Sequence, residues 1–370
     1  MQALELTIQA LKLGGPRGGK AVRVGVVGCG YWGAKHIRVL HTNPEVDQVI
    51  AIDQRQDRLS SLKQAFRWLR TYPDLESALD QLDAVIIATP ATTHAGLALQ
   101  ALASGKSVLV EKPLATSNPD AHRVIEEAEA RSLVLMVGHT FEYNAGVWKL
   151  RELVQGGELG RVYYLDSARL NLGLYQPDVN VIWDLGPHDV SIFNYILGAA
   201  PASVQTWGSH HGHHLLEDVA YLRLQYSDPE VTATIHLSWL YPAKVRRTTV
   251  VGSQKMAVYN DLDSEERVRI FDKGLVSPED TASPQNMPMS YRYGEIRAPY
   301  LFFEEPLELQ DREFISCALT GRKPPTNGEN GLRVVQTLEC ANLSLHTGQP
   351  VSLDELAHHS LTTAQLAKIP

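Results

Sequence analysis

At 370 residues the chain exceeds one ordinary hydrophobic core, so two domains are expected. A hydrophobic share of 44% and a charged share of 21% are those of a globular protein in water. The net charge of −8 argues against a nucleic-acid surface, and no apolar run approaches the length of a membrane span.

Residues 1–20 lack the charged start and cleavage pattern of a secretion signal and read as a mobile leader. Cys29, Cys317 and Cys340 are widely spaced, with no C-x-x-C, which points to reduced thiols and a cytoplasmic location.

From residue 21 to residue 143, short apolar runs alternate with helical patterns. The runs are Val24–Val27, Val49–Ile52, Ala84–Ala88, Ser107–Val110 and Leu133–Val137. The helical patterns are Ala34–Leu40, Arg58–Phe66, Leu75–Asp80, His94–Ser104 and Pro119–Arg131. Such alternation predicts a parallel sheet covered by helices on both faces, with ligands at the carboxyl ends of the strands. Gly28, Asp53, Thr89, Pro90, Glu111, Lys112 and His139 each follow one of these runs.

The first run leads into Gly28, Gly30 and Gly33 at G-x-G-x-x-G spacing and then into a helix. That is the dinucleotide fingerprint. Gly28 permits the turn, Gly30 lets a pyrophosphate approach, and Gly33 lets the helix pack close to its strand. The second run ends in Asp53, where a carboxylate accepts from the adenosine ribose hydroxyls and repels a 2′-phosphate. NAD is therefore the expected cofactor. Arg55, two residues on, partly offsets that repulsion and keeps NADP as the alternative. Tyr31 and Trp32 in the loop either stack on the cofactor or pack beneath the loop.

Residues 144–370 read as a second, α+β domain built on a mostly antiparallel open sheet. After a linking helix over Asn144–Gln155, strands are expected at Val162–Leu172, Ala202–Gly208, Val219–Tyr226, Val231–Leu240, Thr248–Gly252, Lys255–Asn260 and Val268–Phe271. One helix, Asp189–Leu197, lies among them. Asp272–Tyr300 reads as a long loop, and helices over Leu309–Leu319 and Leu332–Leu345 close the pattern.

Two constellations carry chemistry. In Glu111-Lys112-Pro113 the proline stops the ladder and restricts Lys112, fixing an ammonium at the cofactor crevice. In Asp184-Leu185-Gly186-Pro187-His188 an acid and a histidine four apart share one helical face. His188 there takes a hydroxyl proton and Asp184 fixes its ring. No third ligand is evident beside them, so no metal is expected. The tract Ser209-His210-His211-Gly212-His213-His214 reads as a solvated turn.

VGVVGCGYWG, TPATTHAGLALQALASGKSVLVEKP and WDLGPHD, in that order, resemble the glucose–fructose oxidoreductase / inositol dehydrogenase / rhizopine-catabolism (Gfo/Idh/MocA) family. The resemblance runs from Arg23 onward. It implies a Rossmann-type N-terminal domain and an NAD- or NADP-dependent dehydrogenase acting on a sugar or polyol. It places Lys112 beside the nicotinamide and the reacting hydroxyl, and Glu111 near the nicotinamide ribose. Thr89, Pro90 and His94 match its cofactor-side segment, and Asp184 and His188 its acid–histidine pair. GHTFEYNAGVWKL and NLGLYQPDVNVIWDLGPHD resemble most the branch acting on UDP-linked amino sugars at carbon 3. Its substrate side would include His139, Arg169 and Asn171 with Lys112, Asp184 and His188, and Lys244, Arg246 and Arg247 are further basic candidates. A keto-sugar reductase, an inositol or polyol dehydrogenase and a non-catalytic nucleotide-sensing regulator are the rival readings. The apolar residues of strands such as Val231–Leu240, together with the resemblance, imply a homodimer or homotetramer through the second domain's sheet.

Overall fold

A computed structural model describes residues 21–173, 175, 179–212, 216–275 and 291–358. The expected leader, His213 and His214 lie outside the described residues. The chain divides into two compact units. The first holds the chain up to Thr140 and Glu305–Leu332; the second holds Phe141–Glu304 and the chain from Arg333. The sequence pattern places residues 305–332 in the second domain. They join the first because their helix packs on the first helix of the nucleotide sheet.

The first unit is a six-stranded parallel sheet. Its strands are β1 Val22–Val27, β2 Val46–Ile52, β3 Arg70–Tyr72, β4 Ala84–Ile87, β5 Ser107–Glu111 and β6 Leu135–Gly138, in the order β3-β2-β1-β4-β5-β6. β4, β5 and β6 are buried along their whole length, as strands covered on both faces must be. The crossover helices are α1 Tyr31–His41, α2 Gln56–Ala65, α3 Leu75–Ala78, α4 His94–Ala103 and α5 Asn118–Ala130. Ser117 caps α5 by accepting from the Asp120 N–H at 3.2 Å, and a proline follows at the helix start. The strand order reverses at β1 and β4, which opens a crevice at their carboxyl ends. The three-residue β3 was not foreseen, because Arg70–Tyr72 is too short and too exposed to show a period.

The second unit begins with α6 Ala145–Gln155, β7 Val162–Leu172, α7 Val181–Leu197, β8 Ser203–Ser209, β9 Val219–Ser227, β10 Glu230–Ser238 and β11 Leu240–Gly252. It continues with β12 Met256–Asn260, β13 Val268–Leu275, β14 Tyr291–Arg297, β15 Val351–Ser352 and α10 Leu353–His358. The sheet order is β14-β13-β12-β11-β7-β10-β9-β8-β15, antiparallel except where β10 runs parallel to β7. Two helices, α8 Pro306–Thr320 in the first unit and α9 Gly328–Thr347, complete the described strands and α-helices.

Three expectations for this unit change. Val231–Leu240 is not one strand: the Ser238 hydroxyl accepts from the Leu240 N–H at 3.0 Å, and the chain turns there. Part of the expected loop over Asp272–Tyr300 is strand, with β13 running to Leu275 and β14 starting at Tyr291. The apolar residues of β10, Val231, Ala233, Ile235 and Leu237, are buried on the face that α7 covers. The opposite face instead exposes aromatic rings, with Trp207 at 59% and Tyr221 at 46%, and Tyr221 stacks on His236.

Candidate active site

The phosphate loop is built by close approach. Gly28 has φ +87°, which favours glycine, and a Cβ on it would lie 2.7 Å from the Ala88 carbonyl oxygen. A Cβ on Gly33 would lie 1.9 Å from the Gly28 carbonyl oxygen, so α1 lies against the loop as only glycine permits. Gly30 caps α1 with no side-chain hydrogen bond, and the nearest atom to a Cβ built there is Arg58 Nη1 at 3.8 Å. This helix start is open to an anion.

Asp53 anchors that loop from β2. Its Oδ2 accepts from the Cys29 N–H at 2.7 Å and its Oδ1 from the Arg55 N–H at 2.8 Å, with Arg58 Nη1 3.4 Å from Oδ2. Oδ1 keeps a second lone pair for a ribose hydroxyl, whereas Oδ2 already meets two donors. Tyr31 is 70% exposed, so it does not pack beneath the loop; Lys35 Nζ lies 4.2 Å from its ring centre and 4.9 Å from that of Trp32.

At the ends of β4 and β5, His94 is buried and bridges two loops. Its Nδ1 is 2.7 Å from the Pro113 carbonyl and its Nε2 2.9 Å from the Thr89 carbonyl. Burial pushes this imidazole down despite both carbonyls. Thr93 Oγ1 lies 2.7 Å from both Thr89 Oγ1 and the Pro90 carbonyl; its one proton goes to the carbonyl and it accepts from the Thr89 hydroxyl, stiffening the same turn. The Lys112–Pro113 bond is cis.

Glu111 is buried beside Lys112. Its Oε2 accepts from the Lys112 backbone N–H at 3.2 Å, and its Oε1 lies 3.0 Å from His36 Nε2. His36 Nδ1 is 2.9 Å from both oxygens of Asp311 on α8. Burial pushes the Glu111 carboxyl up, but His36 and Lys112 outweigh it and hold the group below the ordinary carboxylate range. His139, at the end of β6, is 1% exposed and both its ring nitrogens lack a hydrogen-bond partner. Burial takes its pKa to about 4, so it is a neutral imidazole at neutral pH. A buried polar ring without partners, at the carboxyl end of a parallel strand, suits a bound ligand that supplies them. The open start of α1, the Asp53 carboxylate and this orphaned ring fit a dinucleotide.

In the second unit the acid–histidine pair lies inside α7, which starts eight residues earlier than expected because Asn180 caps it, accepting from the Trp183 N–H at 3.2 Å. Asp184 and His188 are half-buried one turn apart. Asp184 Oδ2 accepts from Trp239 Nε1 at 3.0 Å, and the His188 ring meets Phe141 edge-on with centres 5.1 Å apart. Pro187 within the helix offers no N–H to the carbonyl of Trp183.

A family profile described as "Oxidoreductase family, NAD-binding Rossmann fold" matches residues 22–139, and one described as "GFO/IDH/MocA C-terminal domain" matches residues 147–258. The chain belongs to the Gfo/Idh/MocA oxidoreductase family. Among its relatives is the myo-inositol 2-dehydrogenase of Thermotoga maritima, 26% identical over 349 residues, which are 90% of this chain and 99% of that one. The UDP-N-acetylglucosamine 3-dehydrogenase of Acidithiobacillus ferrooxidans is 32% identical over 190 residues, 50% of this chain and 58% of the relative. The crystal structure of GenD2 from gentamicin A biosynthesis, in complex with NAD, superposes with a TM-score of 0.76 at 25% identity, covering 91% of this chain and 98% of that one. As a member of this family the protein is an NAD(P)-dependent dehydrogenase with an NAD-binding Rossmann domain.

Within the family fold, the sequence candidates separate by environment. Gly28, Gly30, Gly33, Asp53, Thr89, Pro90, His94, Glu111, Lys112 and His139 gather at the carboxyl ends of one parallel sheet. Arg169 is 5% exposed and its Nε is 2.5 Å from Asp189, with the guanidinium 4.5 Å from the Phe141 ring centre. That buried pair spends on the protein the charge expected for substrate. Asn171 is half-buried on β7. Arg246 is paired with Asp261 at 3.2 Å, while Lys244 and Arg247 are exposed. In the histidine tract, His211 Nε2 is 2.9 Å from Ser209 Oγ, and the His211 and Gly212 N–H groups donate to Asp218. No group of three or more metal-ligating side chains occurs among the described residues, and no described helix is long and apolar enough to cross a membrane.

Sequence reasoning missed His36, Asp311 and Trp239. Asp311 lies 275 positions from His36, beyond any motif. His36 did carry a signal: it sits in the buried stripe Gly33, His36, Ile37, Leu40 of α1, a polar side chain on an apolar face.

Proposed function

We propose that the protein oxidises a secondary carbinol of a UDP-linked amino sugar, at carbon 3, to the ketone. The supporting observation is Lys112 at the end of β5, next to a buried, ionised Glu111 and on the same sheet as the dinucleotide cradle. When bound, NAD supplies the hydride acceptor, carbon 4 of its nicotinamide ring. His188 accepts the carbinol proton, with Asp184 orienting its ring. Lys112 hydrogen-bonds the reacting oxygen and stabilises the charge that develops there. The same residues serve the reverse reduction. Their joint presence disfavours a non-catalytic sensor.

The full-length likeness to an inositol dehydrogenase favours a second reading, a cyclic polyol as substrate. A screen of UDP-N-acetylglucosamine and myo-inositol, each with NAD and NADP, separates the two. UDP-N-acetylglucosamine is expected to reduce NAD, with NADP about tenfold less efficient or worse because Asp53 repels a 2′-phosphate. Turnover of myo-inositol alone would establish the polyol reading, and preference for NADP would remove Asp53 from its role.

The exposed Trp207 and Tyr221 of the second unit's outer face also support self-association there, as a homodimer or homotetramer. Light scattering at micromolar concentration is expected to show a mass above one chain, and Trp207→Ser with Tyr221→Ser to lower it. A monomeric wild type would contradict the proposal.

A further inference from the structure

The chain Asp311–His36–Glu111 is buried in the first unit, and neither His36 nor Asp311 has a part in the chemistry described so far. His36 is fully buried, and α1 is tied to α8 a second time by Arg38 and Glu305 at 2.5 Å. Both oxygens of Glu111 are held, Oε1 by His36 and Oε2 by the Lys112 backbone N–H, and the carboxyl packs against Gly138, where a Cβ would come within 3.0 Å of its carbon. A carboxylate held this way cannot change rotamer, and neither can the backbone N–H bonded to it swing away.

We infer that His36 is a positioning residue: clamped by Asp311, its imidazole fixes the Glu111 carboxylate and, through it, the backbone that carries Lys112. The inference rests on the reading of Lys112 as the group that touches the reacting oxygen. Its physical sense lies in α1. The start of that helix seats the cofactor phosphates, and its second turn, through His36, sets residue 112. One rigid element thus fixes both, and misplacement by about 1 Å is enough to cost catalysis about a hundredfold.

The charge state agrees with the geometry. A neutral imidazole has one N–H and satisfies one carboxylate; an imidazolium satisfies two. Burial alone would push His36 down, but Asp311 and Glu111 reverse this and raise it to about 10. Those two carboxylates are the charged groups facing the ring, with Lys112 and His139 beyond Glu111.

The test uses the full-length holoenzyme with UDP-N-acetylglucosamine and NAD. His36→Gln is expected to lower kcat by about 10- to 100-fold while leaving KM, and NADH affinity by fluorescence titration, within about threefold. Combined with Glu111→Gln it should cost little beyond Glu111→Gln alone, since both act through one contact. Losses that multiply, or a lower melting temperature with unchanged kcat, overturn the inference. If His36→Gln does not fold, Asp311→Asn carries the test. It should lower kcat in the same direction by about three- to tenfold, and an unchanged kcat overturns the inference. A readout independent of turnover is proton–nitrogen NMR. The wild type should show two protected imidazolium N–H signals at pH 9, absent in His36→Gln, and their absence in the wild type would overturn it. Lys112→Met separates the two levels. If it is inactive while His36→Gln is fully active, only the inference fails; if it is fully active, the reading of Lys112 falls and the inference with it.

Discussion

His188→Asn is expected to bind NAD as the wild type does and to turn over about two to four orders of magnitude more slowly, the usual contribution of a placed acid–base group. Cofactor affinity survives because the open helix start and Asp53 belong to the first unit, while His188 lies on α7 in the second. Asparagine keeps a polar side chain of similar reach but has no group that titrates, so the fold of α7 persists and the base does not. The acid limb of the wild-type oxidation rate should disappear in this variant, because a protonated imidazole cannot take the carbinol proton. Asp184→Asn should do less harm. Its amide oxygen can still accept from Trp239 Nε1, which preserves the helix surface, but the negative charge beside His188 is gone. Lys112→Met should also cripple turnover, with the acid limb intact in the residual rate. An acid limb that persists in His188→Asn and vanishes in Lys112→Met would make Lys112 the titrating base and overturn the role given to His188.

The nucleotide half was legible because its determinants are local. Gly28, Gly30 and Gly33 are close in sequence, Asp53 ends the next apolar run, and Glu111 and Lys112 close another. The acid–histidine pair was legible for the same reason, although its helix was placed too late. Gly186 and Pro187 are poor helix formers, yet the Asn180 cap and the buried face of Val181, Ile182 and Trp183 carry α7 through them. What stayed hidden depends on distant partners. Arg169 reads as a free cation until Asp189 is found against it. His36 reads as one polar residue in a helix until folding brings Asp311 and Glu111 to its two nitrogens. The strand β14 was hidden too, because Tyr291–Arg297 is an exposed segment whose apolar residues follow no period of two against a core.

Gly33→Ala should weaken NAD binding by at least about a hundredfold, the scale set by misplacing a binding element by about 1 Å. The added Cβ would sit 1.9 Å from the Gly28 carbonyl oxygen and 2.9 Å from its carbon. Those are backbone atoms of a residue at φ +87°, whose N–H is bonded to the Ile52 carbonyl at 2.8 Å, so they have little freedom to yield. α1 must move instead, and its N–H groups leave the position that a pyrophosphate needs. The same shift would lengthen the His36–Glu111 contact of 3.0 Å, so any residual turnover should fall further than the loss of affinity explains. Overpacking of this kind also costs about 1–3 kcal/mol of stability, visible as a lower melting temperature. Gly96→Ala is the matched control. It lies within α4 with nothing beyond its own helix backbone within 4 Å of the new Cβ, so it should leave NAD affinity unchanged and stabilise the helix by about 0.5–1 kcal/mol. Calorimetric titration of NAD into both variants decides the matter. A Gly33→Ala protein that bound NAD within threefold of the wild type would mean that the start of α1 is not where the pyrophosphate sits.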